Sequence, residues 1–265
     1  MLKDLVNFLK NYINYFLSNI IAIIAGFILL PFITLYTTVE EYGILGVYIS
    51  LGAILNVIFR LGLPGSITRL YYDYGEGYQL NNLITTIVKF ITYFNLILIF
   101  LLLIIFKFLI DNFNYYDLEY HLIVLTVFSS SLEAHIDIMR RLIQPRQDTK
   151  YYLKFNIFYT ILYFIIAIIS LTFLNLSYKT IIYCSFINSL VFFFISRKYL
   201  KINLTGKFSK ELFVIASKYA LGVFPSHLII PSGTFLLRNI LILKVGLLEA
   251  GFFTMFQVLN NSLVS

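Results

Sequence analysis

The sequence predicts an all-α, polytopic transmembrane helical bundle, on three observations. Apolar runs of helix length follow one another from residue 11 to 110 and from 118 to 265. Hydrophobic residues make up 60 % of the chain and charged residues only 12 %, and the mean hydropathy of +0.86 is far above that of a water-soluble domain. Lys and Arg, finally, gather in every second gap between the runs, the pattern of a bundle inserted with one orientation.

A bilayer core about 30 Å thick asks for roughly 20 apolar residues per helix. Runs of that order place spans at 12–35, 43–60, 83–109, 119–139, 153–174, 179–196, 219–243 and 248–265. The leading segment (Lys3, Lys10) and the second, fourth and sixth gaps hold 15 of the 20 cationic residues, among them Arg60, Arg69, Arg140, Arg141, Arg146, Arg197 and Lys218. The other gaps are short and acidic or neutral, as at Glu40 and Glu41 or Asp111, Asp117 and Glu119. The positive-inside rule therefore predicts a cytoplasmic N-terminus in the plasma membrane. Beside membrane helices the basic excess is matched to anionic headgroups, and no nucleic-acid partner is expected. The first run lacks a small-residue exit and reads as a retained span, not a cleaved signal.

Several functions are excluded or disfavoured by what lies between the spans. The gaps are too short for a nucleotide-binding domain, and no GxxxxGK[ST] motif occurs. Outer loops this short also disfavour a membrane-embedded glycan polymerase or ligase, so no enzyme is expected. The single cysteine, Cys184, sits in an apolar run, no ligand-spaced His cluster exists, and neither a metal site nor a cofactor is predicted.

The chain also echoes itself. A shift of 208 residues sets Phe27, Leu29, Leu35, Glu41 and Gly43 over Phe235, Leu237, Leu243, Glu249 and Gly251. Span 7 thus restarts what span 1 began, a repeat pattern common in transporters. The expected organisation is a six-helix half over 1–200, a cytoplasmic linker over 201–218, and the first two helices of a second half over 219–265.

Polar residues inside the spans fall on helical faces. Asn11, Asn14 and Ser18 recur at steps of 3 and 4 in span 1; Gly52, Asn56 and Arg60 at steps of 4 in span 2; and Ser129 or Ser130, Glu133, Asp137 and Arg140 or Arg141 in span 4. Such stripes serve either helix packing or a hydrated cavity. Their common direction toward the basic ends favours a cavity. Pro225 and Pro231 interrupt span 7 and mark it as a candidate hinge, since an internal proline removes a helical hydrogen bond.

Leu30-Pro31 closing span 1, Glu41-Tyr42-Gly43 opening span 2, Gly62-Leu63-Pro64 with Arg69 leaving it, and Arg238, Gly246, Gly251 and Phe252 later carry a family likeness. The chain resembles the polysaccharide and oligosaccharide lipid flippases of the multidrug/oligosaccharidyl-lipid/polysaccharide exporter superfamily. That resemblance implies alternating access, a partner such as an undecaprenyl- or polyprenyl-pyrophosphate-linked oligosaccharide, and neighbouring glycan polymerases or glycosyltransferases. It implies pyrophosphate contacts from Arg238, Arg60 and Arg69, with Asn14, Ser18 and Asn56 meeting sugar hydroxyls. Family members have about twelve to fourteen spans, so the resemblance reads this chain as a first half plus two helices, and a nonfunctional fragment is one alternative. A cation-coupled drug exporter of the same superfamily is another; the absence of Asp and Glu from residues 12–35 weighs against it.

Overall fold

The computed structural model describes residues 2–113, 118–174 and 177–264, and every described secondary-structure element is helical. In chain order these are α1 (Leu2–Tyr36), α2 (Val39–Arg60), α3 (Leu63–Tyr74), α4 (Tyr78–Phe113), α5 (Tyr120–Arg146), α6 (Thr149–Leu174), α7 (Lys179–Leu200), a 3₁₀ turn (Lys201–Thr205), α8 (Lys210–Lys244) and α9 (Leu247–Val264). Among the described residues seven helices, α1, α2 and α4 to α8, are long and apolar enough to cross a membrane. The protein is a multi-pass membrane protein. The apolar stretch found in α9, Leu247–Val258, would rise only about 18 Å by itself. Asp117 and Asn175, which the sequence puts in gaps, lie outside the described residues.

Local chemistry sets the breaks. Thr38 and Glu41 close a capping box at the start of α2: the Glu41 amide donates to Thr38 Oγ1 at 3.2 Å and the Thr38 amide to Glu41 Oε2 at 2.9 Å. Leu61 (φ 50°) and Gly62 (φ 72°) then turn the chain in the left-handed region, and Pro64 starts α3 where no amide donor is needed. A side chain at Gly62 would also press within 3.0 Å of the Ala220 carbonyl oxygen.

α3 is an element that hydropathy scoring passes over. Its buried Leu63, Ile67 and Leu70 recur at helical spacing, but its other face is polar, so it packs against α5 and α8 while presenting Arg69 and Tyr72. The expected linker over 201–218 is likewise largely helical, leaving only 206–209 between the 3₁₀ turn and α8. Side chains of α4 fasten that bend: Asn82 Oδ1 accepts from the Lys207 amide at 2.7 Å and Thr86 Oγ1 from the Ser209 amide at 2.9 Å. Ser209 then caps α8 by accepting from the Leu212 amide.

The 208-residue offset recurs in the helix bounds. α1 and α8 are both 35 residues long, both their bounds differ by 208, and so do the first residues of α2 and α9. α2 and α9 meet through reciprocal glycines. A Cβ on Gly43 would stand 2.5 Å from the Leu247 carbonyl oxygen, and one on Gly251 would overlap the Val39 carbonyl oxygen. Val39 and Leu247 are themselves repeat mates, so the seam is the same contact made twice in opposite directions. Close backbone approach through small residues is the means by which helices associate where lipid provides no hydrophobic drive. Around this seam α1 packs on α6 and α9, α5 on α2, α3, α4 and α7, and α8 on α2 and α3.

Candidate functional site

Two cavities follow one another along the groove between α2 and α5. The first, of about 760 Å³, lies toward the basic end of the bundle among α2, α3, α5 and α8. Its wall carries Arg60, Arg69 and Arg141 with a single carboxylate, Asp137, together with Tyr72, Tyr219, Ser226 and His227. Asp137 is shared: Arg60 approaches it from α2 at 3.8 Å and Arg141 from one turn along α5 at 3.7 Å. Two guanidiniums on one carboxylate leave the wall positive, and the buried Nε of Arg60 has no hydrogen-bond partner. Arg69 also pairs with Asp73 at 3.3 Å, but both side chains are about half exposed, where such a pair holds weakly.

The second cavity, of about 500 Å³, continues the groove among α2, α5, α6 and α7. Asn56 and Glu133 line it, one residue and one turn respectively from Val57 and Asp137 of the first. Glu133 is held by its neighbours: Tyr159 and Ser189 hydroxyls donate to Oε1 at 2.7 and 3.0 Å, and Arg140 stands 3.6 Å from Oε2. Arg140 also stacks over the Tyr159 ring at 4.9 Å.

Of the residues expected to meet substrate, the structure brings Arg60, Arg69 and Asn56 to these cavities. It sends the other three elsewhere. Asn14 Nδ2 donates to Thr149 Oγ1 at 2.9 Å, Thr149 in turn donates to Asn11 Oδ1, and buried Ser18 accepts from Asn156 Nδ2 at 3.5 Å. The polar stripe of α1 is therefore spent on the seam with α6, which satisfies amides that lipid would leave unpaired.

Arg238 departs furthest from expectation. It is 1 % exposed and lines neither cavity. Its Nη1 donates to the Gly46 carbonyl and its Nη2 to Gln257 Oε1 at 2.7 Å, with the Phe253 ring alongside. The phase of α8 turns this residue toward α2 and α9, where the guanidinium ties three helices together. Among the described residues no carboxylate pairs with it.

Pro231 stands in the wall of the first cavity and Pro225 on an exposed face of α8, which runs unbroken as a helix through both. Each proline leaves the carbonyl four residues earlier, Leu221 and His227, without its helical donor.

Arg141, already on the polar stripe of α5, joins the first wall as the i+4 partner of Asp137, whereas the wall residues Tyr72, Tyr219, Tyr159 and Ser185 carry no signal before the helices are packed.

A cationic chamber with a hydroxyl-lined one farther along the same two helices sets the context for comparison with known proteins. Residues 8–264 match a family model described as polysaccharide biosynthesis protein. The chain belongs to the polysaccharide biosynthesis protein family. Membership spans nearly the whole chain, so the motifs around Pro31, Gly43, Gly62 and Arg238 point to the right family. No curated protein and no solved structure matches.

Proposed function

We propose that the protein is a transporter, not an enzyme, that flips a lipid-linked oligosaccharide or polysaccharide precursor from the cytoplasmic to the outer leaflet of the plasma membrane. The observation that carries this reading is the first cavity: three arginines against one carboxylate, at the end of the bundle where the chain's basic residues concentrate. A pyrophosphate is the lipid-linked group such a wall suits, because guanidinium forks match phosphate oxygens and hold charge away from hydrocarbon. Arg60, Arg69 and Arg141 take the pyrophosphate, and the isoprenoid chain stays in lipid. The positive-inside bias supports a cytoplasmic N-terminus and a first cavity that opens to the cytoplasm. α8, with two prolines and one wall of that cavity, is the helix best suited to move as the site changes sides. Neighbouring glycosyltransferases or polymerases would supply and consume the substrate.

Replacing Arg60 and Arg141 together by Ala should abolish surface polysaccharide while the protein remains in the membrane. Normal surface glycan in that double variant would refute the assignment.

A further inference from the structure

We infer that a groove on the lipid-facing side of α4, at the basic end of the bundle, binds one anionic phospholipid. Lys89 meets its headgroup phosphate and a floor of phenylalanine rings carries one acyl chain. The groove shares no lining residue with either cavity, so the inference stands apart from the transport reading.

The argument starts from a charge inside a span. Lys89 is exposed on α4, and none of the ion pairs among the described residues includes it. An unpaired ammonium on a lipid-facing helix is costly unless its long stem carries the charge to headgroup level. Its depth allows this. Thr86, which accepts from the Ser209 amide, lies three residues, about 4.5 Å, nearer the basic end, so the bend over 206–209 sits one turn away from Lys89. Exposed Lys207 and Lys210 flank that bend. Over 201–218 Lys201, Lys207, Lys210 and Lys218 outnumber a single acid, Glu211, and α4 holds no acid before Asp111. The nearest acids of the α3–α4 region, Asp73 and Glu76, are already engaged by Arg69 and Arg146.

Beside this cation lies a groove of about 500 Å³, otherwise lined by Phe90, Tyr93, Phe94, Ile97 and Phe208. The rings of its floor are packed together: Phe90 stacks on Phe94 at 5.8 Å and meets Phe213 of α8 at 4.5 Å, and Phe213 meets Phe208 of the bend at 6.4 Å. Tyr93 and Ile97 are 68 % and 64 % exposed, and the same face runs on to exposed Phe100. From Lys89 to Phe100 α4 rises about 16 Å, close to half the thickness of a bilayer core, the depth one acyl chain spans. The open side of the groove lets the second chain stay in the bilayer. Charge selects the headgroup: three lysines favour a phosphodiester with net negative charge, whereas a zwitterionic lipid brings its own cation against them. The bound lipid would brace α4 against the bend and the first turns of α8, since the floor takes a ring from each.

The test titrates the full chain in detergent with dioleoylphosphatidylglycerol or dioleoylphosphatidylcholine and counts bound lipid by native mass spectrometry. Wild type should retain one phosphatidylglycerol with an affinity about fivefold or more above that for phosphatidylcholine, the discrimination that one lysine near an anionic surface supplies. Lys89→Ala should erase that preference and Lys89→Arg should keep it. Lys150→Ala, which removes an exposed lysine at the start of α6, should leave it unchanged. Phe208→Ala should weaken both lipids alike, because it removes floor and not charge. Equal affinity of wild type for the two lipids would overturn the site whatever the variants do. So would an equal loss in Lys150→Ala and Lys89→Ala, which would mean general surface charge. Displacement of the lipid by glycerophosphoglycerol at matching concentration would overturn the acyl groove, and tighter binding of farnesyl phosphate than of phosphatidylglycerol would overturn the phospholipid assignment in favour of a prenyl lipid.

Discussion

Gly43→Ala tests the repeat seam on which both cavities are hung. The added methyl would lie 2.5 Å from the Leu247 carbonyl oxygen and 3.2 Å from the Gly251 amide nitrogen. Ordinary contact begins near 3.4 Å, so α9 must withdraw by about 1 Å, and backbone, unlike a flexible side chain, has no rotamer by which to yield. Overpacking of this kind costs about 1–3 kcal/mol, against a helix-propensity gain of about 1 kcal/mol for replacing Gly by Ala. The net expectation is a loss of up to about 2 kcal/mol. Gly251→Ala should cost more, since its methyl would overlap the Val39 carbonyl oxygen and stand 2.8 Å from Val39 Cγ1. Because one withdrawal relieves both clashes, the double variant should cost less than the sum of the two singles. Gly222→Ala and Gly233→Ala on α8 are the controls, with nothing within 4 Å of the added carbon, and should be neutral or slightly stabilising. Thermal unfolding in detergent, followed by size-exclusion chromatography of the surviving fraction, gives the ranking. A Gly43→Ala protein as stable as Gly222→Ala would refute the close seam.

Asp137→Asn removes the carboxylate shared by Arg60 and Arg141 and should tighten binding of farnesyl pyrophosphate several-fold in a direct titration; weaker binding would mean that Asp137 positions the arginines instead of competing with the ligand. Glu76 at the start of the α3–α4 turn accepts from Arg146 Nε at 2.6 Å and Nη2 at 2.9 Å, and these bonds hold its carboxyl below its ordinary 4.5. A carboxylate with a lowered folded-state pKa contributes stability present above its unfolded pKa and lost as pH falls through the folded one, so wild type should lose stability below about pH 4.5 more steeply than Glu76→Gln, as read by melting temperature against pH. Pro231→Ala restores a helical donor to the His227 carbonyl and should raise thermal stability while slowing transport, measured as surface polysaccharide per unit of membrane protein; unchanged transport would remove Pro231 from the hinge.

Much of the architecture was legible before any packing was known. Spans, their order and the basic end follow from segment hydropathy and the positions of Lys and Arg, because a bilayer imposes one length and one charge rule on every crossing segment. Five residues match at an offset of 208, and two of them, Gly43 and Gly251, lie where α2 and α9 approach most closely. α3 escaped because a span-length hydropathy window is insensitive to a helix with one polar face.

Which way each polar side chain points was decided only by tertiary structure. Asn14 and Asn56 look alike in sequence, each on an amide stripe at helical spacing, yet the first closes a helix seam and the second opens onto a cavity. Arg60 and Arg238 part in the same way. Lipid and protein interior are equally apolar, so the hydrophobic pattern that marks a helix for the membrane says little about which of its faces meets lipid, neighbour or water. Orientation is set by where small residues let backbones approach and where polar groups find partners, and those are properties of two helices together.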